Sequence, residues 1–165
     1  MPAPIVAAFV TYFKNDLEIT LWTEEIPRTD TAGNPINPQA TAIVPQVWPA
    51  VQLLMDNGFN RQNTFLRAYS DDSEAWKFQV WGSTKAQADA TMGAIEDALV
   101  DPANWFSFGS AIGLLLPPPF FIYDLELSKW TSREQANERL AGSQLLWLDE
   151  MDFRLKIHGE INSTG

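Results

Sequence analysis

Residues 76–99 read WKFQVWGSTKAQADATMGAIEDAL, and this stretch decides the fold. Trp76, Phe78 and Val80 alternate with Lys77 and Gln79, the period-2 pattern of a half-buried strand. Trp81 breaks the pattern by placing an indole on the otherwise polar face. Gly82, Ser83 and Thr84 make a joint. Beyond it, Ala88, Met92, Ile95 and Leu99 fall at offsets of four, three and four, which puts them on one stripe of a helix. Thr84 and Gln87 have the spacing of a capping box, in which the hydroxyl accepts from an orphan N–H and the amide reaches back. A strand therefore feeds a helix that lies back on a sheet.

Working outward, the next clear strands are Phe120–Leu127 and Met151–Ile157. In the first, Phe121, Tyr123, Leu125 and Leu127 share a face. In the second, Met151, Phe153, Leu155 and Ile157 oppose Asp152, Arg154 and Lys156. Phe65–Tyr69 reads as a further strand, joined to Trp76–Trp81 through the polar turn SDDSE. Pro49 can open a helix over Val51, Leu54 and Met55 that stops at Asn57-Gly58. Thr131 and Glu134 form a second candidate capping box, for a short polar helix closed by Gly142. Residues 5–22 fit two patterns. Ile5–Phe13 can form a helix after Pro4. The alternation of Phe9, Thr11 and Phe13, the turn formers Asn15-Asp16 and the strand-like Leu17–Trp22 favour a β-hairpin. Stretches 27–49 and 103–119 are rich in turn formers or irregular and read as long loops, which in a compact domain carry function or meet a partner. The expectation is a single α+β domain over 1–165: a mostly antiparallel sheet, one principal helix at about 84–99 on a face, and one or two shorter helices.

Composition narrows function. A charged share of 19% with 45% hydrophobic residues fits a globular chain. Twenty-one acids against eleven bases give a net charge of −10, which repels nucleic-acid backbones and disfavours sequence-specific nucleic-acid binding. With no cysteine, disulfides, thiolate metal sites and cysteine catalysis are excluded. One histidine, His158, cannot build a multi-histidine metal centre within a single chain. The N-terminus lacks a basic region and reads poorly as a signal peptide. No apolar run approaches the roughly 20 residues that span a bilayer. The expectation is folding in the cytoplasm, away from membranes.

Several residue groups invite chemistry and each has a plainer account. Asp71, Asp72 and Glu74 offer oxygens to calcium but lack a calcium-loop spacing, and read as a solvated turn. Asp149, Glu150 and Asp152 suggest paired carboxylates for acid–base work, and read as charge on the solvent side of a strand. His158 has no nucleophile motif to serve, and Gly109 and Gly113 lie in an apolar stretch without a phosphate-binding lysine. No catalytic residue, cofactor or metal is expected. Seven tryptophans would suit a carbohydrate-binding platform, but core and subunit interface account for most of them. Trp22, Trp48, Trp105 and Trp130 lie off the clean strand faces and are the candidate interface anchors.

The opening stretch also resembles the tail-terminator or tail-completion proteins of long-tailed bacteriophages. The resemblance rests on the alternating strand Phe78-Gln79-Val80-Trp81, the small polar joint Gly82-Ser83-Thr84 and the alanine-rich helix Ala86–Leu99. The closing strand Met151-Asp152-Phe153-Arg154-Leu155 is similar to that of the family, and the likeness covers about a third of the chain. Family members open with an N-terminal helix, so a hairpin at 5–22 would be a departure. The resemblance implies a non-enzymatic virion protein assembled in the host cytoplasm as a ring, commonly a hexamer. Such a ring would cap the tail tube at its head-proximal end, meet the tail tube protein on one side and neck or connector proteins on the other, and let DNA pass through its lumen. A head–tail connector, or another minor tail protein, is the nearest alternative; a carbohydrate-binding module is a more distant one.

Overall fold

The computed structural model describes residues 3–24, 26, 48–63, 69–101, 121–128, 130–137 and 144–160. Among these residues it is an α+β fold of two helices and a six-stranded mixed sheet. In chain order the elements are α1 (Ala3–Asp16), β1 (Leu21–Trp22), β2 (Ala50–Asn63), β3 (Tyr69–Gly82), α2 (Lys85–Val100), β4 (Phe121–Leu127), β5 (Thr131–Ala136) and β6 (Leu145–Glu160). The sheet runs β1-β2-β3-β6-β4, with β5 also on β6. Among the described residues only β1–β2 is parallel; the other pairings are antiparallel. β6 is the spine. It pairs with β3 along one edge, from Tyr69↔Glu160 to Gly82↔Trp147. Along its other edge β4 takes one half and β5 the other, end to end.

The strand–joint–helix unit folds as its sequence predicts. Thr84 is the N-cap of α2, accepting from the Gln87 amide at 3.2 Å. The Gln87 side chain accepts from the Ser83 amide at 2.9 Å, so the reciprocal bond reaches one residue further back than a standard box requires. Ala88, Met92, Ile95 and Leu99 are all fully buried. Gly82 is required by proximity: a Cβ there would lie 2.9 Å from the Ala88 backbone nitrogen and 3.0 Å from the Thr84 carbonyl oxygen.

Four expectations are corrected. Residues 3–16 form helix α1, not a hairpin. Phe9, Tyr12 and Phe13 are buried, and their three- and four-residue spacings outweigh the apparent alternation of Phe9, Thr11 and Phe13. An aromatic ladder explains why. Phe13 stacks on Phe78 at 5.3 Å between ring centroids, Phe78 on Phe153 at 4.6 Å, and Phe9 meets Phe153 at 6.2 Å. The helix ends where Glu18 takes a φ of 57° and the Ile19 amide donates to the Phe13 carbonyl at 2.9 Å. The left-handed Glu18 turns the chain back so that Ile19 reaches a carbonyl of the last helical turn, which the Leu17 amide also contacts at 3.2 Å. Strand structure then resumes only at Leu21–Trp22.

Second, residues after Pro49 form β2, not a helix. Asn57-Gly58 fall in the irregularity between Met55, opposite Trp76, and Phe59, opposite Glu74. The turn formers thus accommodate a bulge instead of ending a helix. Third, SDDSE lies inside β3 and pairs on both sides, so Asp71, Asp72 and Glu74 are not a turn. The predicted strand at 65–69 lies outside the described residues except for Tyr69, where β3 begins. Fourth, Thr131–Ala136 is strand β5, not a capped helix. Its register against Leu145–Glu150 satisfies its backbone, which overrides the local capping signal.

Directly opposed residues on neighbouring strands share a face. Val51, Leu53, Phe78, Val80, Met151, Phe153 and Leu155 accordingly line one face, and both helices cover it to form the main core. A register shift between Ile122 and Asp124 turns Ile122 into this core, alongside the half-buried Leu125 and Leu127. Loop 103–119 lies outside the described residues, and of 27–49 only Trp48 and Pro49 lie within them.

Candidate functional site

The sheet face opposite the helices has two parts. At one end lies a smaller apolar cluster of Ile26, Ala50, Trp81, Leu146 and Leu148. Trp81 is 4% exposed; its register partners are Ala50 on β2 and Leu148 on β6. The indole that breaks the alternation is thus the centre of a second core. Trp22 and Trp48, both half-buried, pack against that same cluster.

Beside it, among the described residues, lies a lattice of charge. Glu150 is bound by Arg133 at 2.6 Å, Lys77 at 3.3 Å and the Gln79 amide at 3.2 Å. Lys77 also reaches Asp152 at 3.8 Å, while Lys156 pairs with Asp124 at 3.3 Å and Glu126 at 3.8 Å. Burial alone would push the Glu150 carboxyl up. The hydrogen bonds from Gln79 and Lys77 and the charges of Lys77 and Arg133 together outweigh it, and the carboxyl sits below its usual range. These groups satisfy one another across neighbouring strands. An open cleft of about 350 Å³ lies where β4 gives way to β5, beside Ala75, Ser128 and Arg154. The Ser128 hydroxyl donates to the Asp152 carbonyl at 2.9 Å, which occupies the one hydroxyl among the described lining residues.

The structure separates the acids that the sequence groups together. Glu150 and Asp152 belong to the charged lattice. Asp149 does not: it is fully buried on the helix side, between Val80 on β3 and Ser132 on β5. The solvent-side reading of Asp149 is therefore corrected. Extending the alternation of Met151, Phe153 and Leu155 two residues back would have placed it there. Asp89 of α2 faces it, and Lys85, one turn earlier, holds Asp89 in an ion pair. Burial and the adjoining Asp89 push the Asp149 carboxyl up to about 6. The neighbouring Asp149 carboxyl and the Lys85 ammonium hold Asp89 below its usual range.

Of the four candidate anchors, the structure brings Trp22 and Trp48 to one cluster. Trp130 packs on the main core, 3.9 Å from where a Cβ on Gly93 of α2 would sit. Trp105 lies outside the described residues, as do Gly109 and Gly113. Trp76 and Trp81 are core residues, unavailable to a stacked ligand. Among the described residues, no three His, Asp or Glu gather to hold a metal ion, and no helix is long and apolar enough to cross a membrane. Comparison with known proteins yields no match to a protein-family model and none to a curated protein.

Proposed function

We propose that this chain is a structural subunit that closes the head-proximal end of a phage tail tube as a ring and joins it to the neck. The observation that carries the reading is the order of elements around Trp76–Leu99. Helix α1 opens the chain, as the tail-terminator resemblance leads one to expect, and the departure that a hairpin would have made is gone. Strand β3, the Gly82–Thr84 joint and α2 then follow in the expected order.

The physical logic is that of a rigid body with sticky flanks. One sheet face is filled by two helices. The opposite face carries Trp22 and Trp48 beside a charged lattice. Half-buried indoles at the margin of a core are suited to finishing their burial against a neighbour. They are the anchors assigned here to the contact between protomers. The tail tube protein meets one side of the ring and neck proteins the other, in the virion tail. A net charge of −10 per subunit suits a lumen that passes DNA without holding it. The capping role needs no cofactor.

Solution mass with negative-stain imaging tests the reading. A hexameric ring is expected, and Trp22→Ala with Trp48→Ala should release monomers. A stable monomer at micromolar concentration, in both low and high salt, overturns it.

A further inference from the structure

The carboxyl pair of Asp149 and Asp89 is not used by the proposed assembly role. It joins three elements: Asp149 on β6, Asp89 on α2 and Ser132 on β5. Asp149 is fully buried. Neither of its oxygens, nor Asp89 Oδ1, nor Ser132 Oγ, finds an aligned donor among the described residues. Unpaired buried oxygens are costly, and two ionised carboxylates side by side are more so. A proton or a cation between them relieves both costs, which the uncharged Ser132 hydroxyl cannot do for the charge.

The surroundings decide which. Asp149 faces Asp89 and Lys85 on α2, the uncharged Ser132 on β5 and the uncharged Val80 on β3. The Lys85 ammonium already balances one of the two negative charges. A single proton balances the other. It also supplies the missing donor, because a protonated Asp149 donates to the Asp89 carboxylate. A calcium ion would need six to eight oxygens, more than these three side chains offer.

We infer that Asp149 and Asp89 share one proton, and that this proton is a pH-sensitive clasp holding the first turns of α2 and the edge strand β5 on the spine strand β6. When the proton leaves to solvent, two carboxylates face each other. The clasp then loosens at the half-exposed Asp89 and at β5, which among the described strands pairs with β6 alone.

The direction of the pH effect follows from proton counting. In the unfolded chain both carboxyls titrate near 3.8; in the folded chain Asp149 does so at about 6. The folded site thus holds its proton roughly a hundredfold more tightly than an unfolded aspartate does. Between these values folding takes up a proton, so the contribution to stability falls as pH rises through the window and levels off above it. Below it, the depressed Asp89 reverses the slope.

The test combines carboxyl-carbon NMR titration of the unmodified protein with urea unfolding from pH 4.5 to 8, for the unmodified chain and for Asp149→Asn. The amide of Asp149→Asn keeps a donor toward Asp89 and removes the titration. Asp149 should titrate near 6. The unmodified chain should lose urea resistance from pH 4.5 to about 6 relative to Asp149→Asn, and little more above that. Amides of 131–136 should exchange faster at pH 7.5 than at pH 5 in the unmodified chain only, after correction for intrinsic rates. An Asp149 midpoint at the ordinary carboxylate value, or parallel pH profiles for the two chains, overturns the inference. So does a rise in urea resistance with calcium chloride at pH 7.5 that Asp149→Asn abolishes, since a cation would then fill the site. If Asp149→Asn does not fold, the carboxyl titration decides alone.

Discussion

Replacing Trp81 with alanine tests the second core directly. Trp81 is 4% exposed and sits among Ala50, Leu146, Leu148 and Ile26. A buried indole removes on the order of 150–250 Å² from water. At about 25 cal/mol per Å² that is roughly 4–6 kcal/mol, an upper bound because unfolded chains bury part of the same area. Measured large-to-small core changes of this kind cost about 3–5 kcal/mol, and we expect Trp81→Ala to fall there. Against a net stability on the order of 5–15 kcal/mol for a domain, this is a large fraction. Trp22→Ala removes a half-buried indole from a two-residue strand and should cost about 1–2 kcal/mol. The assay is urea unfolding followed by far-UV circular dichroism at several protein concentrations, so that loss of a subunit contact is separated from loss of a core. A Trp81→Ala change below about 0.5 kcal/mol would place the indole among ordinary surface positions and refute the reasoning. So would a loss that vanishes on dilution to the monomer.

Other outcomes follow from the same structure. Gly82→Ala should destabilise by about 1–3 kcal/mol, since its Cβ meets the backbone of Thr84 and Ala88, which cannot rotate away; thermal melting reads this. Ile95→Lys places a charge on the fully buried stripe of α2 and should leave the chain unfolded by circular dichroism, whereas Ile95→Val should cost only about 0.5–1.5 kcal/mol. Glu150 has a depressed pKa, so its contribution is present above the unfolded value of 4.5 and is lost as pH falls through the folded one. Glu150→Gln should therefore flatten the acid side of the stability profile, and an unchanged profile would show that Lys77 and Arg133 do not hold that carboxylate in solution.

Sequence alone located α2 and the apolar face of β6 for identifiable reasons. In α2, cap, stripe and stop all agree: Thr84 caps, Ala88, Met92, Ile95 and Leu99 face the sheet, and the helix ends at Val100 before Pro102. In β6 the alternation of Met151, Phe153 and Leu155 is uninterrupted. Local signals misled where a second pattern fitted the same residues. Phe9, Tyr12 and Phe13 satisfy a helix or a strand until the ladder of Phe13, Phe78 and Phe153 selects the helix. Thr131 and Glu134 satisfy a capping box until pairing with Glu150 and Trp147 makes a strand. Asn57-Gly58 mark a break in either structure, and only the register against β3 makes it a bulge.

The candidate site divides in the same way. That Trp22 and Trp48 lie off the regular faces is legible in the chain; that they meet one cluster, centred on Trp81, is not. The acids at 149, 150 and 152 look alike in sequence, yet Asp149 enters the core while the other two join a surface lattice. What the stretch Trp76–Leu99 determined by itself is a strand, a glycine joint and a capped helix, because those depend on neighbours a few residues apart. Tertiary structure alone decided what lies across from it: α1 on Phe78, the second core on Trp81, and Asp89 against Asp149. Those are contacts between residues far apart in the chain, set by which strand pairs with which, and no local pattern encodes that register.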